Sequence, residues 1–401
     1  MEQPFLKALP IIKTIENSGY EAYFVGGSVR DYLINRTVHD VDIATSAPPH
    51  VVQNLFKKTI PVGIEHGTIL VRHGQESYEV TTFRIDGKYE DFRHPDEVTF
   101  VTDLKEDLAR RDFTMNAIAM DQKGQIHDPF HGQADLKSGY IRTVGKAEER
   151  FYEDPLRMMR AVRFVSQLGF QLDDEIKNAM KQMANLLEHI AVERITVEIE
   201  KLFMGEYIMK ALTHINETNI GRHLPIFRDD QSLIKKIKEY VQTPFQSIAE
   251  AITFFHILNP DHSIQKWIKS WKLSNKVLNS AKHLHQAYLT YQHEGIGNET
   301  VYVVGKHVLQ EFAHLVNIVE KAEMVSVHRL EKIYEALPIR QREDLCLNGH
   351  DILALAKGRK PGPWVQELLL DMERQVVRGS LKNETSVLKE WVKKWITDEN
   401  S

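Results

Sequence analysis

The chain has one cysteine, Cys346, among its 401 residues. An internal disulfide and a cysteine-based zinc site are therefore both excluded. No stretch approaches the roughly 18 consecutive apolar residues that a membrane helix needs; "AITFFHIL" (Ala251 to Leu258) is long enough only for a buried helix. Met1 is followed by Glu2, and the first apolar stretch is broken by Lys7, Pro10 and Lys13. That is neither a secretory leader nor an Arg-rich transit peptide, so a cytoplasmic chain without membrane contact is expected. Positive charge is not in excess: 51 basic and 56 acidic residues leave a net charge of −5. A general coat of nucleic-acid-binding charge is thus absent, although a local basic groove remains open. His66, His73, His94, His127 and His131 lack His-x-His or His-x₃-His spacing, so no zinc site is expected. Neither an internal repeat nor a low-complexity tract is present.

What is present falls into two textures. Residues 20 to 145 carry short runs rich in Val, Thr, Phe and Tyr: "AYFVGG", "TILVRHG", "SYEVTTFR" and "EVTFVTD". These read as strands. Helical periodicity lies between them, over Phe5 to Asn17, Ser28 to Ile34, Pro48 to Phe56 and Lys105 to Met120. From about residue 147 strand-like runs nearly vanish and amphipathic helices dominate. At this length one core is too few, and the pattern predicts an α+β head with one small mixed sheet, followed by a long all-helical arm.

The chemistry-bearing residues sit early. In "FVGGSVRDYLINRTVHDVDIAT" (Phe24 to Thr45) a strand ends at Val25 and a helix starts near Ser28, which can cap it. Gly26 and Gly27 let backbone N–H groups approach an anion. Arg30 occupies the first turn, where the helix dipole does not favour a cation unless an anion sits there too; a plain tight turn with an exposed Arg fits the same residues. Strand alternation puts Asp40 and Asp42 on one face, with Val41 and Ile43 turned to the core. Such a carboxylate pair is tolerated if solvated, or if a divalent cation lies between them. Oxygen-only ligands of this kind suit Mg²⁺, which takes one or two carboxylates and completes its shell with phosphates and water. Glu79 in "SYEVTTFR" reads either as a third carboxylate near the metals or as an outward strand residue, and is not counted among the ligands.

Two further segments complete the set. "EDLARRDFTMNAIAM" reads as a helix with Asp112 and Asn116 on one face. In "EDPLRMMRAVRF" (Glu153 to Phe164) Asp154 caps a helix opened by Pro155, and Arg157, Arg160 and Arg163 form one basic stripe. Asp154 and Arg157 read either as an ordinary i,i+3 ion pair or as a base reader. C and A both present an amino donor beside a ring-nitrogen acceptor, whereas G and U present a carbonyl beside a ring N–H. A carboxylate only accepts and a guanidinium only donates, so the pair suits C and A and rejects G and U.

"FVGGSVRDYLINRTVHDVDIAT", "RRDFTMNAIA" and "EDPLRMMRAVRF", in this order, resemble the signatures of the polymerase-β-like nucleotidyltransferases, in the form shared by class II CCA-adding enzymes and bacterial poly(A) polymerases. The resemblance covers the whole chain and is greatest to the bacillary CCA-adding enzymes. It implies a nucleotidyltransferase head (1–146), a helical neck with the base-reading motif (147–205), a helical body (206–300) and a helical, tRNA-binding tail (301–401). It implies transfer of CMP, CMP and AMP from CTP and ATP to the tRNA 3′ end with Mg²⁺ held by Asp40 and Asp42. Gly27, Arg30 and Arg111 would hold the triphosphate. Asp154 and Arg157 would serve as an amino-acid template, Glu153 would orient Arg157, and Arg160 and Arg163 would belong to the nucleotide site.

Near the C-terminus Lys357, Arg359 and Lys360 flank a Gly/Pro turn opening a helix, which reads as a phosphate contact or as a plain turn; the family places the tRNA elbow near its tail. No protein partner is indicated. "RIDGKYEDFRHPDEVTF" (Arg84 to Phe100) lacks either period through its middle and reads as a mobile loop; CC-only relatives typically lack most of a loop here. The competing expectations are a CC-adding or A-adding partial enzyme, a poly(A) polymerase, and an RNA-binding protein with an inactive head. The intact Asp40 and Asp42 argue against the last.

Overall fold

A computed structural model describes residues 2–87, 92, 96–321, 324–356 and 359–398. It divides into two units, Met1–Pro244 and Phe245–Ser401.

The first unit carries all the strands among the described residues: β1 (Ala22–Val25), β2 (Asp42–Thr45), β3 (Thr59–Gly63), β4 (Thr68–His73), β5 (Glu76–Thr82), β6 (Arg84–Asp86), β7 (Val98–Phe100), β8 (Ala119–Met120), β9 (Ile126–His127), β10 (Tyr140–Ile141) and β11 (Gln171–Leu172). Seven form one mixed sheet in the order β3-β4-β5-β2-β1-β8-β9. β2 runs antiparallel to β1 and parallel to β5. β6 pairs with β7, and β10 with β11. The helices of this unit are α1 (Gln3–Glu16), α2 (Gly27–Leu33), α3 (Pro49–Leu55), α4 (Leu104–Ala109), α5 (Gly132–Ser138), α6 (Ala147–Glu153), α7 (Leu156–Leu168), α8 (Asp174–Met183), α9 (Val192–Phe203), α10 (Ile208–Glu217) and α11 (Leu233–Tyr240).

Apolar residues explain this packing. α1 buries Phe5, Ala8, Ile11, Ile12 and Ile15 at i, i+3, i+4, i+7 spacing, and Phe5 meets Phe24 of β1 edge to face at 5.0 Å. Val25, Ala44, Phe83, Leu108, Ala117 and Ala119 form a cluster joining the sheet to α4.

Two expectations are corrected here. The helix expected over Lys105 to Met120 stops at Ala109; Phe113 is extended (φ −124°, ψ 148°), and only Thr114–Asn116 turns again, as a 3-10 helix. Tertiary pairing overrides propensity at this point. Phe113 bridges to Thr143, Val144 N–H donates to the Asp112 carbonyl at 3.2 Å, and the Phe113 ring is fully buried against Phe164. Ser28 does not cap α2. The helix begins one residue earlier with Gly26 at its N-cap, and the Ser28 hydroxyl donates to the Val25 carbonyl at 3.0 Å.

β6 and β7, at the two ends of the segment expected as a loop, pair antiparallel with Arg84 opposite Phe100 and Asp86 opposite Val98. Residues 88–91 and 93–95 of that segment lie outside the described residues.

The second unit is helical among the described residues: α12 (Ile248–Leu258), α13 (Ile264–Ser270), α14 (Asn275–Glu294), α15 (Asn298–Val304), α16 (Leu309–Glu320), α17 (Val327–Ala336), α18 (Gly349–Leu355), α19 (Pro363–Arg378) and α20 (Thr385–Asp398). α12 buries Phe254 and Phe255, as "AITFFHIL" suggested, with Trp267 of α13 against Phe255. A second cluster joins α18, α19 and α20 through Ile352, Leu368, Met372, Val376, Leu388 and Val392. No helix of the described residues is long and apolar enough to cross a membrane.

Candidate active site

The sheet register assembles the acidic centre. Val25, the last residue of β1, lies opposite Asp42, the first of β2. The Gly26–Gly27 turn and the carboxylate therefore meet at one end of the sheet. Asp40 and Asp42 are exposed while Val41 and Ile43 are buried, so the alternation expected from sequence holds, although Asp40 precedes the strand itself. In the parallel ladder Ile43 pairs with Val80, which sets Glu79 abreast of Asp42.

Water reaches Asp42, but protein surrounds its carboxyl on most sides. That desolvation, then the negative charge of Glu79, raises its pKa; Arg111 opposes the shift and Asp40 adds to it. A carboxylate crowded by others, with its own pKa raised, marks a place where a cation is welcome. Among the described residues no three His, Cys, Asp or Glu side chains could enclose a metal by themselves. An open pair of carboxylate ligands still fits a hard cation whose shell is completed by phosphate oxygens and water.

Behind this centre the glycine turn supports two arginines. Gly26 has φ +71° and ψ −135°, a conformation suited to glycine, and a Cβ there would come within 3.1 Å of Arg111 Nη1. Arg111 is held by Asp107, which is fully buried and also accepts from Arg110 Nε at 3.0 Å and from Arg84 N–H at 3.3 Å. Both guanidinium partners hold the Asp107 pKa below its ordinary value despite burial, the opposing and largest influence.

Arg30 is not an exposed turn residue; it is 9% exposed. Its Nη1 donates to Asn116 at 2.8 Å and its Nε to Asp31 at 2.9 Å. Asn116 in turn donates to Asp112 at 3.0 Å, so the 3-10 turn keeps together the two residues expected on one helical face. The other Asp112 oxygen accepts twice from Arg160, at 2.8 and 2.5 Å.

Asp154 and Arg157 do not form the i,i+3 pair that an isolated helix would offer. Arg157 Nη1 donates to Glu153 at 2.5 Å and to the Arg150 carbonyl at 3.2 Å. α7 opens at Leu156 with Pro155 at its N-cap, one residue later than expected; Asp154, just before it, accepts from the Leu156 N–H at 3.1 Å and from Arg194 of α9 at 2.9 Å. Arg163 pairs with Glu198, also of α9, at 2.8 Å; desolvation lowers the Arg163 pKa to about 10, which still leaves it cationic at neutral pH. Each partner leaves the acceptor-only and donor-only character of Asp154 and Arg157 intact.

Gly27, Arg30, Asp42, Arg111, Asp154, Arg157, Arg160 and Arg163 all line one cleft of about 580 Å³. Its lining holds eight arginines against four aspartates, a local positive excess in a net acidic chain. A second cavity of about 1040 Å³ shares Gly27, Arg30, Asp42 and Arg163 with the first and adds Asp40. Asp42 thus stands where two cavities meet, one lined by Asp154 and Arg157 and one open beside Asp40.

The tail cations belong to the second unit. The Arg359 guanidinium lies 4.4 Å from the ring centre of Trp364 and 5.8 Å from that of Trp395. Lys360 is exposed, and its carbonyl accepts from the Trp364 indole at 2.9 Å. The Gly/Pro turn does open a helix, α19, with Gly362 at its N-cap. Lys357 lies outside the described residues.

Sequence reasoning missed Arg84, Asp86, Arg110 and Arg194 in the cleft lining, Asp107 beneath it, and Glu198 behind it. Only the unusual density of Asp and Arg in "EDLARRD" offered a signal for Asp107. Arg194 and Glu198 sit on an ordinary amphipathic helix and gave none. For Glu79, the register argues for its nearness to Asp42.

The head-domain model described as "Poly A polymerase head domain" matches residues 22–142. The model "tRNA nucleotidyltransferase domain 2" matches 243–392. A curated protein of Oceanobacillus iheyensis called "CCA-adding enzyme" is 49% identical, with 98% of each chain covered. One of the same name from Anoxybacillus flavithermus is 46% identical, covering 98% of this chain and 97% of that one. The crystal structure of the Bacillus stearothermophilus CCA-adding enzyme in complex with CTP superposes with a TM-score of 0.89 at 39% identity, over all of both chains.

Proposed function

This chain belongs to the CCA-adding enzyme family, and on that premise we propose how its own residues carry out the reaction. The enzyme adds C, C and A to the 3′ end of tRNA from CTP and ATP without a nucleic-acid template. The tRNA 3′-hydroxyl gives up its proton to water as its oxygen bonds to the α-phosphorus, the bond from that phosphorus to the bridging oxygen breaks, and pyrophosphate leaves. Asp40 and Asp42 would hold Mg²⁺, which when bound supplies activation of the hydroxyl and neutralisation of phosphate charge. Arg111 and Arg30, with the Gly27 backbone, bind and orient the triphosphate. Arg160 and Arg163 add positive charge along the same cleft. Asp154 accepts the exocyclic amino proton of C or A, and Arg157, held by Glu153, donates to the ring nitrogen. A wrong base would leave both groups facing like partners in a desolvated site, which is how a hydrogen-bonding pocket rejects it.

The observation that supports this reading best is the position of Asp42 between the base-reading cleft and the second cavity. A nucleotide in the first and an RNA end in the second would bring hydroxyl and α-phosphate together at the carboxylates. In the proposed division of labour the head (1–146) transfers, the neck (147–205) reads, and the body and tail (206–401) hold the tRNA, with Arg359, Lys360 and Lys357 contributing phosphate contacts. The expected compartment is the cytoplasm.

The test uses a tRNA lacking CCA with CTP, ATP or both, and product length on a sequencing gel. Wild type should stop after C, C and A, and Asp42→Asn or Asp40→Ala should add nothing while binding tRNA normally. Arrest at CC, or A addition only to a CC end, would indicate a partial enzyme. Unlimited A addition would indicate a poly(A) polymerase. Normal CMP incorporation by either variant would remove Asp40 and Asp42 from the site.

A further inference from the structure

α9 packs through Ile195, Ile199 and Leu202, all buried. Arg194 and Glu198, one helical turn apart, share a face and reach two members of the cleft on or beside α7. Glu198 holds Arg163 at 2.8 Å, and Arg194 Nη2 donates to Asp154 Oδ2 at 2.9 Å. The Arg194 side chain is 23% exposed and that of Asp154 17%, so water competes little for this bond. The other Asp154 oxygen accepts the Leu156 N–H. Each carboxylate oxygen carries two acceptor sites. With one used by Arg194 and one by Leu156, the group is fixed in rotation and keeps a free acceptor site on each oxygen.

We propose that Arg194 is a positioning residue for base choice: by pinning Asp154 it sets the direction of the acceptor that meets the exocyclic amino group. This rests on the reading of Asp154 as the group that accepts that proton. Asp154 lies in the short break between α6 and α7, with extended backbone (φ −142°, ψ 98°), so the helix alone does not aim its side chain. Without Arg194 the carboxylate turns about its last torsion and water can take its place. The wrong base then no longer faces a fixed acceptor with its carbonyl, and the penalty that excludes U and G falls. Because Arg194 acts through Asp154, its removal changes the ratio of nucleotides incorporated and not merely the rate of each.

The experiment uses the full chain, a tRNA lacking CCA, and single nucleotides, with kcat/KM measured for CTP and for UTP. Wild type is compared with Arg194→Met, Arg194→Lys and Asp154→Asn. Arg194→Met should raise the UTP:CTP ratio about tenfold, a small part of the discrimination that a hydrogen-bonding site supplies. Arg194→Lys keeps the charge but not the planar fork, and should give an intermediate ratio. A ratio within about twofold of wild type for Arg194→Met, with both rates lowered together, would show a merely structural role and overturn the assignment. Should the Met variant not fold, Arg194→Lys decides alone: a raised ratio supports the proposal and an unchanged one overturns it. Asp154→Asn separates the two levels. If it shifts the ratio and Arg194→Met does not, only the role of Arg194 fails; if neither shifts it, the reading of Asp154 fails.

Discussion

Replacing Asp112 by Asn tests the electrostatic joint in the wall of the cleft. One Asp112 oxygen accepts from the Phe113 N–H at 2.8 Å and from Asn116, and the other accepts twice from Arg160. The amide of Asn can keep the first pair of bonds. It then presents its NH₂ to the Arg160 guanidinium, so two charge-assisted bonds are replaced by a donor–donor contact. A hydrogen bond to a charged group is worth about 1.5–3 kcal/mol net, and breaking a fully buried ion pair about 3–5 kcal/mol. The Arg160 side chain is 34% exposed, against 9% for Asp112, so water recovers part of the loss. We expect a destabilisation of about 2–3 kcal/mol, which for a folding unit of this size lowers Tm by roughly 5–10 °C. The pH dependence has a definite sign. Desolvation raises the Asp112 pKa, but Arg160, Asn116 and Arg157 outweigh it and hold the folded value well below the ordinary 3.8. Its contribution to stability is therefore complete above about pH 5 and declines as pH falls below the unfolded value toward the folded one. Thermal melts of wild type and variant should differ by a constant gap between about pH 5 and 8 that narrows below about pH 4. Equal melts at neutral pH, or a gap that stays the same down to about pH 3, would refute this account of the joint.

Gly26→Ala forces a Cβ into a backbone region that costs about 1–3 kcal/mol and against Arg111; KM for CTP and ATP should rise together, and unchanged nucleotide kinetics would separate the glycine turn from the triphosphate. Neutralising Arg359 and Lys360 together with Lys357 should weaken tRNA binding and flatten its salt dependence without altering base choice, as read by filter binding at several salt concentrations; an unchanged slope would move the phosphate contacts elsewhere. Excising Asp86 to His94 should yield products ending in CC with CTP and ATP both present, because one pocket must rearrange between a pyrimidine and a purine. Completion with A by the shortened protein would remove the segment from that switch.

The sequence by itself determined what local geometry determines. Strand alternation around Val41 and Ile43 put Asp40 and Asp42 on the solvent side, because side-chain direction has period two whatever the neighbours are. The spacing of Arg157, Arg160 and Arg163, and the change from strands to helices near residue 147, were legible for the same reason: each is a property of a few consecutive residues. The tertiary structure decided everything that depends on pairing across the chain. It ended the helix at Ala109, where burial of Phe113 against Phe164 and pairing with the Arg142 to Val144 segment outweigh helical propensity over residues 110–120. It set Glu79 beside Asp42 through a parallel ladder. It also gave the cationic and acidic groups their partners: Arg30 with Asn116, Arg160 with Asp112, and Asp154 with Arg194, at separations of 86, 48 and 40 residues. A charge in a sequence shows what it can bind, but which opposite charge it meets, and how much water remains between them, follows only from the packing that brings distant segments together.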